Sequence, residues 1–257
     1  MNGTSTAWKL VTGLFVVFLL TPVVLVMLFA FSDRALSNFP IEHLSLRWWR
    51  EMLGHPQFMP SLVKSVTIGG TVAIVSAVIG TMAAIGLTGL PSRTTAAILA
   101  VISLPMVLPP LVLAVALVTF YVSLGIRLSL LTVTSSHVLL TQPFVILVVY
   151  AQMRHFDRRV LESARDLGAS SFTAFRTVTL PIIAPTVIGA ALMAAAISFD
   201  DFVITFFTIG SGNTLPTLVW GMMRSSVTPM VNAIGTLLLA ATVALTLLGL
   251  SMTRYRG

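Results

Sequence analysis

Glu162-Ser163-Ala164-Arg165-Asp166-Leu167-Gly168, followed after nine residues by Val178-Thr179-Leu180-Pro181, is the one sizeable polar stretch between hydrophobic segments that is patterned as structure rather than linker. Asp157 is placed to cap a helix over 159–167, and Gly168 ends that helix as a left-handed residue. Ser170 or Ser171 then caps a second short helix over 173–178. Leu180-Pro181 is expected to end it, with Pro185 opening the next hydrophobic segment. Val160, Ala164, Leu167, Phe172 and Phe175 give the pair an apolar face. Taken alone, helix–glycine–helix–proline also describes an ordinary surface pair.

The rest of the chain is written for lipid. Hydrophobic residues make up 56% and charged residues 9% of its 257 positions, where soluble domains carry about 25% charged. Mean hydropathy is +0.99. A membrane span needs ~20 mostly apolar residues, and six segments qualify: Leu10–Phe31, Val66–Leu87, Ala96–Leu124, Val133–Met153, Thr186–Ile209 and Asn232–Met252. Pro105, Pro109 and Pro110 predict a break or kink in the third. The first span has an apolar core longer than a signal peptide's and no small-x-small cleavage site before Asp33-Arg34, so it reads as retained. No linker or repeat divides the chain, so 1–257 forms a single transmembrane domain, with 154–185 as its main polar loop.

The net charge of +7 does not indicate nucleic-acid binding. The basic residues are scattered over loops without an aromatic-interleaved face. Their bias is topological, since Lys and Arg gather on the cytoplasmic side. Arg154, Arg158, Arg159, Arg165 and Arg176 cluster in the polar loop, and Arg254 and Arg256 stand in the tail. Six spans with both termini cytoplasmic put them together inside the cell.

No phosphate loop, nucleophile elbow or zinc-helix motif is present, and cysteine is absent. Of the four histidines only His137 lies in a span, and no carboxylate shares that span. It reads as a helix-packing hydrogen-bond donor. Asp200 and Asp201 break the rule that the spans are uncharged. Intramembrane carboxylates normally face a cavity, a partner or a pathway. Neighbours on a helix point ~100° apart, so both cannot serve one small site unless the helix is interrupted. Ser198 and Asp200 are placed to cap a restarted helix. With no Lys or Arg at the centre of any span, neither carboxylate is expected to find a partner inside the chain. Between the first two spans, Leu46-Arg47-Trp48-Trp49-Arg50 opens an amphipathic stretch. It reads either as an interfacial helix or, through Trp48, as an aromatic wall at a pathway mouth. Thr217–Met223 reads as a re-entrant or surface helix.

The polar loop resembles that of importer-type ABC permeases, whose pattern is E-A-A, three residues, G, nine residues, I-x-L-P. Ser163 and Val178 are mild departures. The resemblance extends to six spans, to Leu104-Pro105-x-x-Leu108-Pro109, and to the run Ser198-Phe199-Asp200-Asp201-Phe202-Val203-Ile204. With Thr214-Leu215-Pro216 and Pro229-x-x-Asn232-Ala233, that run is similar to the spermidine/putrescine permease subfamily, most of all to the second of its two permease subunits. Polyamine permeases often carry an Asp after the second proline of the third span, where this chain has Pro110. The resemblance implies an all-α type I permease fold in the bacterial inner membrane, with a cytoplasmic coupling helix. It implies a homologous second permease, two copies of a separate ATPase that binds ATP and Mg, and a periplasmic or lipid-anchored binding protein. The expected contacts to the ATPase are Glu162, Ala164, Gly168, Leu180 and Pro181. Asp200, Asp201 and Trp48 are the expected substrate path for a small cationic amine. Another small polar solute, such as an opine, amino-acid derivative or phosphonate, would use the same architecture. A secondary transporter would need coupling charges spread over several spans.

Overall fold

The computed structural model describes residues 6–34, 39–225 and 228–254; Arg256 of the basic tail lies outside them. The described residues are almost wholly helical, with one isolated bridge between Ser32 and Leu44. In chain order the helices are α1 (Thr6–Phe29), α2 (Arg47–Gly54), α3 (Phe58–Leu87), α4 (Ser92–Ile102), α5 (Leu104–Val107), α6 (Pro110–Ser123) and α7 (Leu130–Arg154). Then follow α8 (Arg158–Asp166), α9 (Ser171–Ala174), α10 (Leu180–Asp200), α11 (Val203–Thr208), α12 (Leu215–Ser225) and α13 (Met230–Arg254). Five helical stretches are long and apolar enough to cross a membrane: 8–29, 58–87, 130–154, 171–200 and 230–252.

The third expected span is not one helix but α4, α5 and α6 in succession. Leu108 and Pro109 are both extended, with ψ 140° and 133°. A residue before proline is pushed out of the helical region, and Pro109 and Pro110 stand in tandem. Pro110 then opens α6, where its lack of an N–H costs nothing.

Two further boundaries differ from expectation. The helix of the polar loop does not stop at Leu180-Pro181, and Pro185 lies inside α10. Residues 175–179 form a π-helical turn, in which the Leu180 N–H bonds the Phe175 carbonyl. The wider turn sits directly before Pro181, where an α-helix would otherwise lose a hydrogen bond. Helix therefore runs continuously from 171 to 200. At the other end, the expected span Thr186–Ile209 is cut after Asp200.

The bundle's centre is α3, α7, α10 and α13, with α11 against α6 and α7, and α12 against α13 and α3. Lipid is as apolar as leucine, so such helices associate through close packing and cross-helix hydrogen bonds. Gly80 illustrates the first: a Cβ there would lie 2.6 Å from Val145 Cγ1 of α7. Ser76 Oγ and Thr141 Oγ1, 2.9 Å apart, illustrate the second. Tyr121 joins α6 to Ser136 of α7 at 3.0 Å, and Thr132 of α7 donates to the Thr208 carbonyl at 2.7 Å. By contrast α1 is almost entirely exposed and packs mainly on α13.

Candidate functional site

The first candidate site is built where the fifth span breaks. Asp201 leaves the helix with φ −70° and ψ 121°, and the chain turns helical again at Val203. Short polar side chains compete for backbone hydrogen bonds, which is how they end helices. Here Asp201 Oδ2 accepts from the Thr205 N–H at 2.9 Å, satisfying a free donor at the start of α11. The capping role expected of Ser198 or Asp200 therefore belongs to Asp201.

Asp201 also has a partner that the sequence did not announce. Its Oδ2 lies 3.2 Å from Nε2 of His137, a residue only 1% exposed on α7. The same Nε2 is 3.0 Å from Thr205 Oγ1, and Nδ1 is 2.7 Å from Ser198 Oγ. The expectation that neither carboxylate has an internal partner fails for Asp201, because the partner is a histidine rather than a Lys or Arg. The imidazole spans α7, α10 and α11. Ser198, Asp201 and Thr205 recur at spacings of three and four, which was the one available signal that they share a face.

Asp200 has the opposite surroundings. Its side chain is exposed and makes no hydrogen bond or ion pair among the described residues. It lines a cavity of about 490 Å³ together with Asp201, Pro110, Phe202, Thr242 and Thr246. No Lys, Arg or His is part of that lining. The carboxylate stands on the last turn of a 21-residue helix, at the negative end of its dipole. A cation placed there relieves both sources of negative potential. Phe202, beside it, stacks near Trp220 and Phe206 with ring centroids 5.1 and 5.5 Å away.

Trp48, expected at a pathway mouth, is 4% exposed. It packs with Ala30, Met52, Phe58 and Leu215, and the Arg47 guanidinium lies 4.7 Å from its ring centre. The amphipathic pattern of α2 turns this ring inward against α3 and α13, so it does not line the cavity at Asp200.

The second candidate site is the polar loop. Asp157 accepts from the Arg159 N–H at 2.9 Å and so caps α8. Gly168 takes φ +86°, with its N–H on the Arg165 carbonyl and the Ala169 N–H on that of Ala164. Ser170 then caps α9 through the Thr173 N–H at 3.2 Å. Leu167 is 89% and Phe172 70% exposed, so this part of the pair's apolar face is uncovered among the described residues, while Ala164 and Phe175 are half-buried. Leu180 and Pro181 are exposed on the helix beyond the π turn. Glu162 and Arg165 line a groove of about 530 Å³ with the ends of α3 and α7.

This all-helical bundle, with a carboxylate-lined cavity at a broken span and one helix pair presented at its end, belongs by sequence to a class of membrane transport components. Residues 76–256 match the family described as binding-protein-dependent transport system inner membrane component. The chain is 32% identical over 243 residues to the putrescine transport system permease protein PotI of Escherichia coli K12, covering 91% of this chain and 86% of that one. It is 31% identical over 211 residues to the spermidine/putrescine permease protein PotC of Haemophilus influenzae, covering 82% of each. Among solved structures, a chain of a bacterial ABC transporter that imports alginate superposes with a TM-score of 0.70 at 15% identity, over 97% of this chain and 94% of that one. A chain of the MetNI methionine ABC transporter gives 0.60 at 19%, over 78% and 98%. These two show the shared fold alone. The chain belongs to the binding-protein-dependent inner-membrane permease family, and within it to the permeases of spermidine/putrescine type.

Proposed function

We propose that this chain forms half of the translocation path of an ATP-driven importer for a small cationic amine such as putrescine or spermidine. The observation that carries the substrate class is Asp200, an unpaired carboxylate facing an open cavity that no basic residue lines. An ammonium entering the cavity replaces its lost water with a charge-assisted hydrogen bond. The relatives that transport putrescine and spermidine point the same way.

The chain itself carries out no reaction in this reading. ATP and Mg bind a separate ATPase present in two copies, and a homologous second permease supplies the other half of the path. The largely uncovered α1 and α6 are available to that partner and to lipid. A periplasmic or lipid-anchored binding protein delivers the amine to the outer face. The helix pair 158–174 seats its apolar face, with Leu167 and Phe172 outward, in a groove of the ATPase. Both termini lie in the cytoplasm with that pair, an orientation that the arginine cluster supports.

The test is uptake of radiolabelled putrescine and spermidine by the complete assembly in proteoliposomes. Uptake should require the binding protein outside and ATP inside. Uptake driven by an ion gradient without the ATPase would overturn the class. ATP-dependent uptake of an anionic or neutral solute, with no competition by diamines, would overturn the substrate.

A further inference from the structure

The mechanism just given uses Asp200 but leaves His137 without a role. His137 is nevertheless a buried side chain with three polar partners at the break. With Asp201 as a carboxylate, which only accepts, the Nε2 proton faces Asp201 Oδ2 at 3.2 Å and Thr205 Oγ1 at 3.0 Å. Nδ1 is then the acceptor for the Ser198 hydroxyl at 2.7 Å. The tautomer follows from the network rather than from an observed hydrogen. The helix backbone that carries the ring is in turn tied to α3. The backbone carbonyl of His137 accepts from Thr141 Oγ1 at 2.9 Å, and Thr141 meets Ser76 of α3 at 2.9 Å.

This arrangement separates two adjacent carboxylates that the sequence presents as equals. Asp201 spends its Oδ2 on the Thr205 N–H and on His137, and its side chain is 10% exposed. Asp200 makes no hydrogen bond or ion pair among the described residues, and both its oxygens are left to the cavity that the two aspartates line. Without the imidazole, the Asp201 side chain would lose its contact with α7 and keep the Thr205 N–H as its hydrogen-bond partner among the described residues. Asp201, which already lines the same cavity, would then be free to swing its Oδ2 into it, and two unrestrained carboxylates would share one small volume. Like charges in one site hinder each other's ionisation.

We infer that His137 is a positioning residue for the amine path: by tying Ser198, Asp201 and Thr205 into one cluster, it holds Asp201 Oδ2 against the protein and leaves Asp200 as the cavity carboxylate with both oxygens free for the substrate. This rests on the cationic reading proposed above. His137 touches no substrate; it acts on affinity through Asp200.

The test is putrescine uptake kinetics by the complete assembly, with His137→Leu, His137→Gln, Asp200→Asn and the double variant His137→Leu/Asp200→Asn. His137→Leu should raise KM on the order of tenfold while Vmax stays within about twofold. His137→Gln keeps a donor and an acceptor and should recover most of the loss. In the Asp200→Asn background, His137→Leu should add nothing to KM, since residues acting as one unit are not additive. If Asp200→Asn raises KM but His137→Leu leaves KM unchanged, or multiplies the effect of Asp200→Asn, the positioning role is overturned and the cationic reading stands. If Asp200→Asn alone is without effect, the cationic reading falls and the positioning role with it. Should His137→Leu fail to assemble, Ser198→Ala removes only the Nδ1 contact. It should raise KM by about threefold at unchanged Vmax, and an unchanged KM there overturns the inference equally.

Discussion

Within 157–181 each turn is set by a residue and its near neighbours, whereas between 198 and 205 a local cap is joined by a side chain some sixty residues earlier. Asp157 caps through a residue two positions on, Gly168 closes on Arg165, and Ser170 caps through a residue three positions on. At the break, the side chains of Ser198, Asp201 and Thr205 meet His137, which is 61 residues from Ser198. The two regions also present their surfaces differently. The loop turns apolar Leu167 and Phe172 outward, while the break turns one carboxylate out and folds the other in. A locally determined element keeps its shape when its surroundings rearrange, which suits a part that docks on another chain. An element held by tertiary contacts feels every change in helix packing, which suits a part that meets a solute moving through.

The difference is sharpest at the adjacent aspartates, and there the largest effects are expected. Asp200→Asn keeps size and should lower uptake of a cationic amine at least about tenfold. The thermal stability of the purified complex and its basal ATPase rate should stay near the parent's. Asp201→Ala should do the reverse first. It leaves the Thr205 N–H without its acceptor and His137 Nε2 with Thr205 Oγ1 alone, a penalty of about 1–3 kcal/mol for the buried donor. The midpoint of thermal unfolding should fall for Asp201→Ala and not for Asp200→Asn. Equal stability losses in both would erase the division between the two carboxylates.

That division was not legible in the sequence, and the reason is physical. The pairing of Ser198, Asp201 and Thr205 on one face is a local property, but what lies opposite that face is not. His137 sits in a span without carboxylates, so its only readable role was helix packing. The polar loop, by contrast, was legible almost residue by residue, because capping and left-handed glycine are written in short-range chemistry. It failed at one place, Leu180-Pro181, where the π turn over 175–179 lets helix continue through a proline that ordinarily stops it. The third span's break was legible because tandem prolines act on the backbone alone. Trp48 was not: an amphipathic pattern shows that one face is apolar, not whether protein or lipid covers it.

The next effect lies in the loop. Gly168 has φ +86°, and a Cβ there would meet nothing within 4 Å. Gly168→Val is therefore strained by backbone conformation alone, at ~1–3 kcal/mol. Gly168→Asn, which tolerates the left-handed region, should cost less. The valine variant should lower ATPase stimulation and uptake together, since α9 is re-aimed relative to α8, while binding-protein docking is retained. If both variants behave like the parent, the turn is not what presents the helix pair to its partner.

A smaller effect separates surface from scaffold within the same loop. Phe172→Ser removes a ring that is 70% exposed, so the chain's own packing loses little. In pull-down with the ATPase, its retention should fall several-fold, because an apolar anchor in a groove carries a large share of binding. The thermal midpoint of the membrane subunits without the ATPase should not move. A fall in that midpoint would place Phe172 in the fold rather than at the interface.

The smallest expected effect is the most local one. Ser170 accepts from the Thr173 N–H at 3.2 Å and meets Thr173 Oγ1 at 2.9 Å. Loss of an N-cap serine costs about 1 kcal/mol of helix stability. Helix α9 runs straight into the long helix ending at Asp200, so its first turn frays while the rest holds. Ser170→Ala should therefore speed amide exchange over 171–174 and leave 186–200 unchanged. Ser170→Asp, which caps as well as serine and adds a charge favourable at a helix N-terminus, should restore slow exchange. If Ser170→Ala also quickened exchange around Asp200 and Asp201, the two regions would be mechanically linked through the shared helix. The contrast between a locally built loop and a tertiary break would then give way to a single element with two ends.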